Sequence, residues 1–325
     1  MRLWSGCAAF ASLAVAFPLF AAGNDEALQQ LERMSQASHT LNYEGTFVYL
    51  HGNHVQSVRI AHGVDAKGEH ERLVTLSGKS REVIRDNDEV KCFFPDDRSV
   101  QMAKSGHNLP LPMIKTPNVE RISNLYKLEL KGHERVAGRE ANHVAVIPRD
   151  NFRYGRGYWT DQQTGLLLRA DLIDEHGKVL EQILFTSLEI RDAVPKKSLI
   201  PENSAKDFIV LKPVEPNASA QELRWEAASL PPGFELELTR YIAMNGKPEP
   251  VEHHVYGDGL ASVSVFVETA NSDKKEFTGH SHMGAVNAYA WRTGDARVVV
   301  VGEVPATTVE TIATSMRPRK VEAKP

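Results

Sequence analysis

The first half of the chain begins with a helical hydrophobic pattern and continues with an alternating one. Ala27, Leu28, Leu31 and Met34 recur at helical spacing, which predicts a helix over residues 25–38. Alternating apolar and polar residues follow in short segments separated by turn signals; these are residues 43–50, 55–62, 71–76, 81–85 and 90–94. This pattern predicts antiparallel strands joined by hairpins, with the helix covering one face of their sheet.

The same pattern resumes after a stretch rich in proline. Residues 106–117 contain three prolines and predict a loop, and the apolar spacing from Val119 to Tyr126 predicts a short helix. Strand patterns then return at residues 126–130, 141–148, 158–160, 166–173 and 179–190. The first part of the chain therefore reads as a meandering sheet with two helical segments.

A second pattern begins beyond a proline-containing linker. We expect a large domain over residues 24–200, a linker at 201–220, in which 208–211 can pair briefly, a small domain at 221–319 and a tail at 320–325. The small domain has alternating segments separated by Asn-Gly and Asp-Gly turns, and a final helix at 305–316. These elements predict an α+β protein whose smaller domain is an antiparallel sheet with a C-terminal helix.

The N-terminus has the three-part pattern of a secretory signal peptide. Arg2 precedes an uncharged apolar run over residues 8–20, and small residues follow at 21–23. We expect cleavage after Gly23, with Ala22 as the alternative, and export as a soluble protein. Cys92 is then the remaining cysteine, and its segment predicts a strand in which Cys92 is a small buried apolar residue rather than a reactive thiol.

Composition and motifs argue against nucleic-acid binding and against catalysis. The 38 basic and 42 acidic residues give a net charge of −4, without the basic excess that captures nucleic acid. Residues 279–284 approach a nucleophile-elbow pattern, but Met283 stands where that pattern needs glycine. Thirteen histidines include three close pairs, which read as surface residues rather than metal ligands. We expect no catalytic residue, metal or cofactor.

The aromatic residues of the first strands are candidates for a cavity lining. A curved antiparallel sheet that faces a helix can enclose a cavity instead of a full core. Tyr43, Phe47, Tyr49 and Phe94 would line it. The alternative is that these side chains fill an ordinary packed core.

Several strings, in this order, resemble the RseB/MucB family of periplasmic regulators of the extracytoplasmic sigma factor. The strings are residues 41–49, 76–85, 136–139, 148–155, 230–234, 256–268 and 301–305. The resemblance covers nearly the whole chain after residue 23. It implies a large domain shaped like the half-barrel of lipoprotein carriers (LolA, LolB and LppX) and a smaller domain packed beside it.

The resemblance also implies a partner. Family members bind the periplasmic part of a single-span anti-sigma factor, RseA or MucA, and shield it from the protease that makes the first cut. Lipid or lipopolysaccharide releases the regulator. The alternative function is a periplasmic lipid or lipoprotein carrier, because the same fold serves both roles. The sequence leaves open whether the chain forms homo-oligomers.

A basic and aromatic segment is the candidate contact surface for the partner or for lipid phosphates. Arginine and aromatic side chains are favoured at interface hot spots, and guanidinium groups pair with phosphate. The candidates are Arg149, Phe152, Arg153, Tyr154 and Arg156. The alternative is a solvated basic loop beside core aromatic residues.

Overall fold

The computed structural model describes residues 22–104, 119–202, 206, 208–211, 224–244, 247, 249–270 and 277–319. Four predicted segments lie outside this part of the chain: residues 1–21 of the predicted signal peptide, the proline-rich loop, most of the linker and the tail. Residues 22–211 are called the large domain below, and residues 224–319 the small domain.

A single sheet of twelve strands, antiparallel except for its last strand, forms most of the large domain. Its strands are β1 (Asn42–His51), β2 (His54–Asp65), β3 (Gly68–Thr75), β4 (Glu82–Asp86), β5 (Glu89–Phe94), β6 (Ser99–Lys104), β7 (Tyr126–Val136), β8 (Arg139–Pro148), β9 (Gly155–Asp161), β10 (Leu167–Ile173), β11 (Val179–Arg191) and β12 (Ile209–Leu211). The spatial order is β12-β6-β5-β4-β3-β2-β1-β11-β10-β9-β8-β7. The terminal strands β12 and β7 are not paired with each other, so the sheet is open.

Three short helices and one long helix accompany the sheets. They are α1 (Ala22–Thr40), α2 (Val119–Leu125), α3 (Lys196–Leu199) and α4 (Ala306–Ser315), and a 3₁₀ turn covers Pro95–Asp97. The apolar stripe of α1 explains where it packs, because residues three and four apart share one helix face. Leu31 and Met34 lie against Tyr126 and Val144 of the sheet. Ala37, one turn later, belongs to a second cluster around Phe47 and Phe185.

The strand β12 lies inside the predicted linker. Ile209, Val210 and Leu211 pair in parallel with Ser99, Val100 and Gln101 of β6. All three residues of β12 are exposed, so backbone pairing rather than core burial holds this strand. The connection between the domains therefore begins as the outermost strand of the large sheet.

The small domain is a six-stranded antiparallel sheet with α4 on one face. Its strands are β14 (Glu235–Ile242), β15 (Val251–Gly257), β16 (Ser262–Thr269), β17 (Gly279–Met283), β18 (Val286–Thr293) and β19 (Ala296–Gly302), and a separate pair is formed by β13 (Trp225–Ala227) and β20 (Met316–Pro318). Alternate valines of β16 and β19 are buried against Val309 and Ile312 of α4. This period-two burial is what one covered sheet face requires.

Candidate functional site

A cavity of about 130 Å³ lies between α1 and the large sheet. Its apolar wall is contributed by Met34, Tyr43, Phe47, Ile60, Leu73, Leu166, Leu167, Ile183 and Phe185. Small-molecule pockets usually have volumes of about 300–1,000 Å³. A bulky ligand would therefore need α1 to move away from the sheet.

The polar end of this cavity is an ion-pair cluster. The Arg85 guanidinium donates hydrogen bonds to Glu71 Oε2, at 2.7 Å from Nη2, and to the carboxylate of Glu69. Glu71 and Arg85 are almost completely buried. The charges of Glu71 and Arg85 therefore depend on their ion-pair partners, because little water reaches them to replace a lost ion pair.

His62 contacts the same cluster, and both of its ring nitrogens have a hydrogen-bond partner. Its Nδ1 lies 2.7 Å from the carbonyl oxygen of Leu41, and its Nε2 lies 2.9 Å from Glu69 Oε1. A carbonyl oxygen only accepts, so Nδ1 is the donor there, and the pair at Nε2 needs a second proton between imidazole and carboxylate. Burial opposes ionisation of Glu69, but hydrogen bonding from His62 and the charge of Arg85 outweigh it and lower its pKa to about 2. Glu69 is therefore ionised near neutral pH, next to the Arg85 guanidinium.

Glu69 should give the large domain a pH-dependent stability. Its folded pKa of about 2 lies below the ordinary value of 4.5, so its stabilisation is complete above pH 4.5 and is lost as pH falls towards 2. We expect Glu69→Gln to lower the free energy of unfolding at pH 7 by about 2 kcal/mol, allowing for partial exposure. Urea unfolding at several pH values should show this deficit shrinking below pH 4.5.

The control for this measurement is Glu89→Gln, which changes an exposed carboxylate 3.6 Å from Lys91. It should leave the stability and its pH profile close to those of the native chain. A deficit of Glu69→Gln that stays constant from pH 7 to pH 2 would contradict the ionised state assigned to Glu69.

A second buried ion pair joins the two domains. Arg153 of the large domain donates from Nη1 to Asp258 Oδ2 of the small domain at 2.6 Å, and both side chains are fully buried. The hydroxyl of Tyr126 donates to the same oxygen at 2.8 Å. The Arg153 guanidinium also lies 5.4 Å from the Tyr126 ring centroid and 5.3 Å from that of Phe234. This contact fixes the loop between β15 and β16 against the large domain.

Hydrogen bonds to backbone atoms surround that ion pair. Arg121 of α2 donates from Nη2 to the carbonyl oxygens of Gly233 at 2.7 Å and Gly257 at 2.6 Å. The Thr308 hydroxyl of α4 donates to the carbonyl oxygen of Phe152 at 2.7 Å. The two domains therefore contact each other through a polar interface, to which loops of the small domain contribute backbone hydrogen-bond acceptors.

Comparison with known proteins identifies the family from both parts of the chain. The family model described as the MucB/RseB N-terminal domain matches residues 26–203, and that of the MucB/RseB C-terminal domain matches residues 219–317. The chain belongs to the MucB/RseB family.

Two relatives and one solved structure show how far the similarity to this family extends. The sigma factor AlgU regulatory protein MucB of Pseudomonas aeruginosa is 32% identical over 304 residues, covering 92% of this chain and 93% of that protein. The sigma-E factor regulatory protein RseB of Haemophilus influenzae is 30% identical over 292 residues, covering 90% of this chain and 91% of the relative. The MucA/MucB complex of Pseudomonas aeruginosa contains a chain matched with a TM-score of 0.74 at 32% identity, covering 91% of this chain and all of that one.

The structure separates the four aromatic residues predicted to line a cavity. Tyr43 and Phe47 lie on the cavity wall beneath α1. Tyr49 lies on the same strand but lines a second, smaller pocket. Phe94 is only half-buried, and its ring lies 5.3 Å from the guanidinium carbon of Arg81. The last two residues therefore do not belong to the wall of the cavity beneath α1.

The predicted contact surface is divided in the same way. Arg149 is exposed, and Phe152 and Arg156 are half-buried. The expectation of an exposed surface is wrong for Arg153 and Tyr154, which are buried against the small domain. Arg153 pairs with Asp258, and the Tyr154 hydroxyl accepts from Asn287 Nδ2 at 2.9 Å. A linear pattern of arginine and aromatic residues does not distinguish a contact between domains from a contact with a partner.

Sequence reasoning did not select the charged residues of either site. Glu69 and Glu71 alternate with His70 and Arg72 in a polar stretch of β3, and Arg85 precedes Asp86 at the end of β4, so the local pattern does not mark these residues as buried. Asp258 occurs in an Asp-Gly turn, which explains its presence without any role at an interface. The usable signal was the glutamate pair at 69 and 71, since residues two apart on a strand share a face.

Two general properties of the described residues bear on function. None of the helices that the structure describes has the length and apolar character needed to cross a bilayer. Within the same part of the chain, His, Cys, Asp and Glu side chains form no group of three or more suited to a metal ion. Cys92 is a half-buried free thiol whose pKa burial raises, which makes it less nucleophilic.

Proposed function

We propose that this protein binds the periplasmic part of a single-span anti-sigma factor of the MucA or RseA type and thereby regulates an extracytoplasmic sigma factor. The observation that supports this proposal is the match over both domains to MucB as it occurs in a complex with MucA. The similar proteins are named as regulatory proteins, and we propose that this chain likewise acts without catalysis.

The bound regulator would shield the anti-sigma factor from the protease that makes its first cut. The test mixes the chain without residues 1–23, which we propose are removed on export, with the periplasmic segment of the cognate anti-sigma factor and its first-site protease. We expect the half-time of cleavage to lengthen in proportion to the fraction of the segment that is bound. Sedimentation of the same mixture gives the number of copies in the complex and in the free protein.

Lipid or lipopolysaccharide would relieve this protection. Adding lipopolysaccharide to the protected mixture should restore the rate of cleavage. Unchanged cleavage in the presence of the folded protein would contradict the regulatory function and favour a periplasmic lipid carrier. If protection persists in the presence of lipopolysaccharide, the proposed binding to the anti-sigma factor stands and the proposed release by lipid is contradicted.

The cavity beneath α1 supports the lipid part of this proposal. Its wall is apolar, and its charged groups are paired with one another, so it suits an aliphatic chain whose head group remains outside. Leu73 is a buried residue on this wall. Replacing it with a larger residue would fill the space that an acyl chain needs.

We expect Leu73→Trp to weaken binding of a fluorescent long-chain fatty acid by at least about tenfold, the effect of losing roughly 1.4 kcal/mol. Binding of the anti-sigma segment without lipid should be unchanged. Phe94→Ala is the matched control, because Phe94 was an equal candidate in sequence but lies away from the cavity. Equal loss in both variants, or in neither, would show that the acyl chain binds elsewhere.

A further inference from the structure

A second pocket, of about 40 Å³, lies where the small domain meets the large sheet. Three carboxylates line it, those of Asp171 of β10, Glu181 of β11 and Glu303, which directly follows β19. Arg156 of β9 supplies a positive charge to the same pocket. The pocket therefore places acidic groups of both domains in one small space.

Hydrogen bonds within the large domain hold the Glu181 carboxylate in a fixed position. The Tyr49 hydroxyl donates to Glu181 Oε2 at 2.7 Å, and His51 Nδ1 lies 2.7 Å from Glu181 Oε1. Glu181 itself is buried, with a fractional exposure of 6%. Both of its oxygens are engaged, so this carboxylate does not turn away when a second one approaches.

The small domain brings Glu303 to this place through contacts that are themselves fixed. Val304 is fully buried, and its carbonyl oxygen accepts from Asn287 Nδ2 at 2.8 Å. The turn between β17 and β18 packs on the His51 ring so closely that a Cβ on Gly284 would lie 2.3 Å from His51 Cε1. Ala285, next to it, is buried with Tyr154 of the large domain. The approach of Glu303 to Glu181 therefore belongs to the docked arrangement of the domains.

Burial and the surrounding charges act in opposite directions on the pKa of Glu303. Burial raises its pKa above the ordinary value and the Glu181 carboxylate raises it further, while Arg156 and His51 act in the opposite direction. The other titratable groups that line the pocket are Tyr49, Tyr158 and Asp171, and Asp171 is occupied by Arg169 at 2.5 Å. The guanidinium of Arg156 is not reserved for Glu303, because its Nη2 donates to the carbonyl oxygen of Leu260 at 3.2 Å.

We propose that docking of the two domains is proton-linked, with Glu303 taking up a proton as the small domain closes its loop over Glu181. In the separated arrangement Glu303 would be solvated and would titrate as an ordinary glutamate. The docked arrangement binds the proton more tightly, so acid favours docking. Docking weakens as pH rises through the range in which Glu303 of the docked arrangement loses its proton. The ratio of docked to separated molecules falls by up to about tenfold for each unit by which the pKa of Glu303 differs between the two arrangements.

The experiment measures the distance between the domains as a function of pH in the chain without residues 1–23, which lacks Cys7. Fluorophores are attached at Val55→Cys and Phe277→Cys in a Cys92→Ser background, since these positions are 65% and 53% exposed and belong to different domains. Energy transfer is recorded between pH 4.5 and 8. We expect the docked fraction to fall as pH rises in the native background, and to be high and constant with pH in Glu303→Gln.

Glu310→Gln is the matched control, because it changes an exposed carboxylate of the same domain. It should keep the native pH dependence. A native chain whose energy transfer does not change with pH, or a Glu303→Gln variant that keeps the native profile, overturns the proposal. A dependence that persists in Glu303→Gln and disappears on adding His51→Gln assigns the proton to His51 and also overturns it.

A direct titration covers the case in which the variant folds poorly. Carboxyl ¹³C resonances are followed in the native chain, enriched in ¹³C and carrying no fluorophore, and the Glu303 signal is assigned by its absence in Glu303→Gln or by sequential connectivity. A midpoint above the ordinary glutamate value supports the proposal, and a midpoint at or below it overturns it. Neither measurement includes an anti-sigma factor, so its outcome is independent of the proposed function.

Discussion

Asp258→Ala is expected to lower the free energy of unfolding by about 3–5 kcal/mol, the usual effect of removing one partner from a buried ion pair. The change removes the buried carboxylate from the Arg153 guanidinium, which has no solvent exposure, and leaves it paired with the partly exposed Asp150, whose Oδ1 accepts from Nε at 3.0 Å. It also removes the acceptor for the backbone N–H groups of Leu260 at 2.8 Å and Ala261 at 2.7 Å. Urea unfolding followed by tryptophan fluorescence measures the loss.

Two further variants identify the origin of that effect. Adding Arg153→Met to Asp258→Ala should recover part of the lost stability, because an apolar side chain in the same space needs no buried counter-charge, while the partly exposed Asp150 loses its own partner. Asp295→Ala, an exposed carboxylate in the same domain, should change the stability by less than about 0.5 kcal/mol. If the double variant is no more stable than Asp258→Ala, the loss comes from the loop and not from the arginine that lost its buried carboxylate.

Arg85→Met is expected to produce a comparable loss, of about 3–5 kcal/mol, in the large domain. Arg85 is the cation between Glu69 and Glu71, and its removal leaves two carboxylates close together beside a cavity. The loss should be largest near neutral pH and smaller at pH 4, because acid relieves the repulsion between carboxylates that have lost their shared cation. Urea unfolding at these two pH values tests both the size and the sign of the pH effect.

Arg191→Met is the control for this variant, because Arg191 pairs with Glu44 and Glu189 at the surface. It should reduce the stability by less than about 1 kcal/mol. Glu71→Leu added to Arg85→Met should restore part of the stability by removing the buried carboxylate that lost its partner. No recovery would show that the Arg85 side chain acts through packing rather than through charge.

The sequence predicts the elements of this fold well where hydrophobic periodicity is strong. The helix predicted at 25–38 is observed as α1, and the alternating segments from 43 to 94 are observed as β1–β5. Strand β6 was not predicted, although turn residues at 95–97 precede it. Helix α3, with four residues, is too short for a periodic signal.

The sites were less predictable than the fold, because they depend on which strands become neighbours. Glu69 meets Arg85 and His62 only after three strands pair in one register. Arg153 and Asp258 are 105 residues apart and belong to different domains. Tyr49 and Phe94 had the same aromatic character as Tyr43 and Phe47, and only the position of α1 separates them. Local patterns carry information on the face of a strand but not on what will cover it.

The strand β12 limits the chain that connects the domains. Leu211 is anchored to the large sheet, and Arg224 is held by the Glu252 carboxylate through its backbone N–H at 3.1 Å. The twelve residues between them span at most about 45 Å even if fully extended. A separated small domain would thus stay at an effective concentration on the order of millimolar near its docking surface. Domain docking is therefore unimolecular, and diluting the protein does not weaken it.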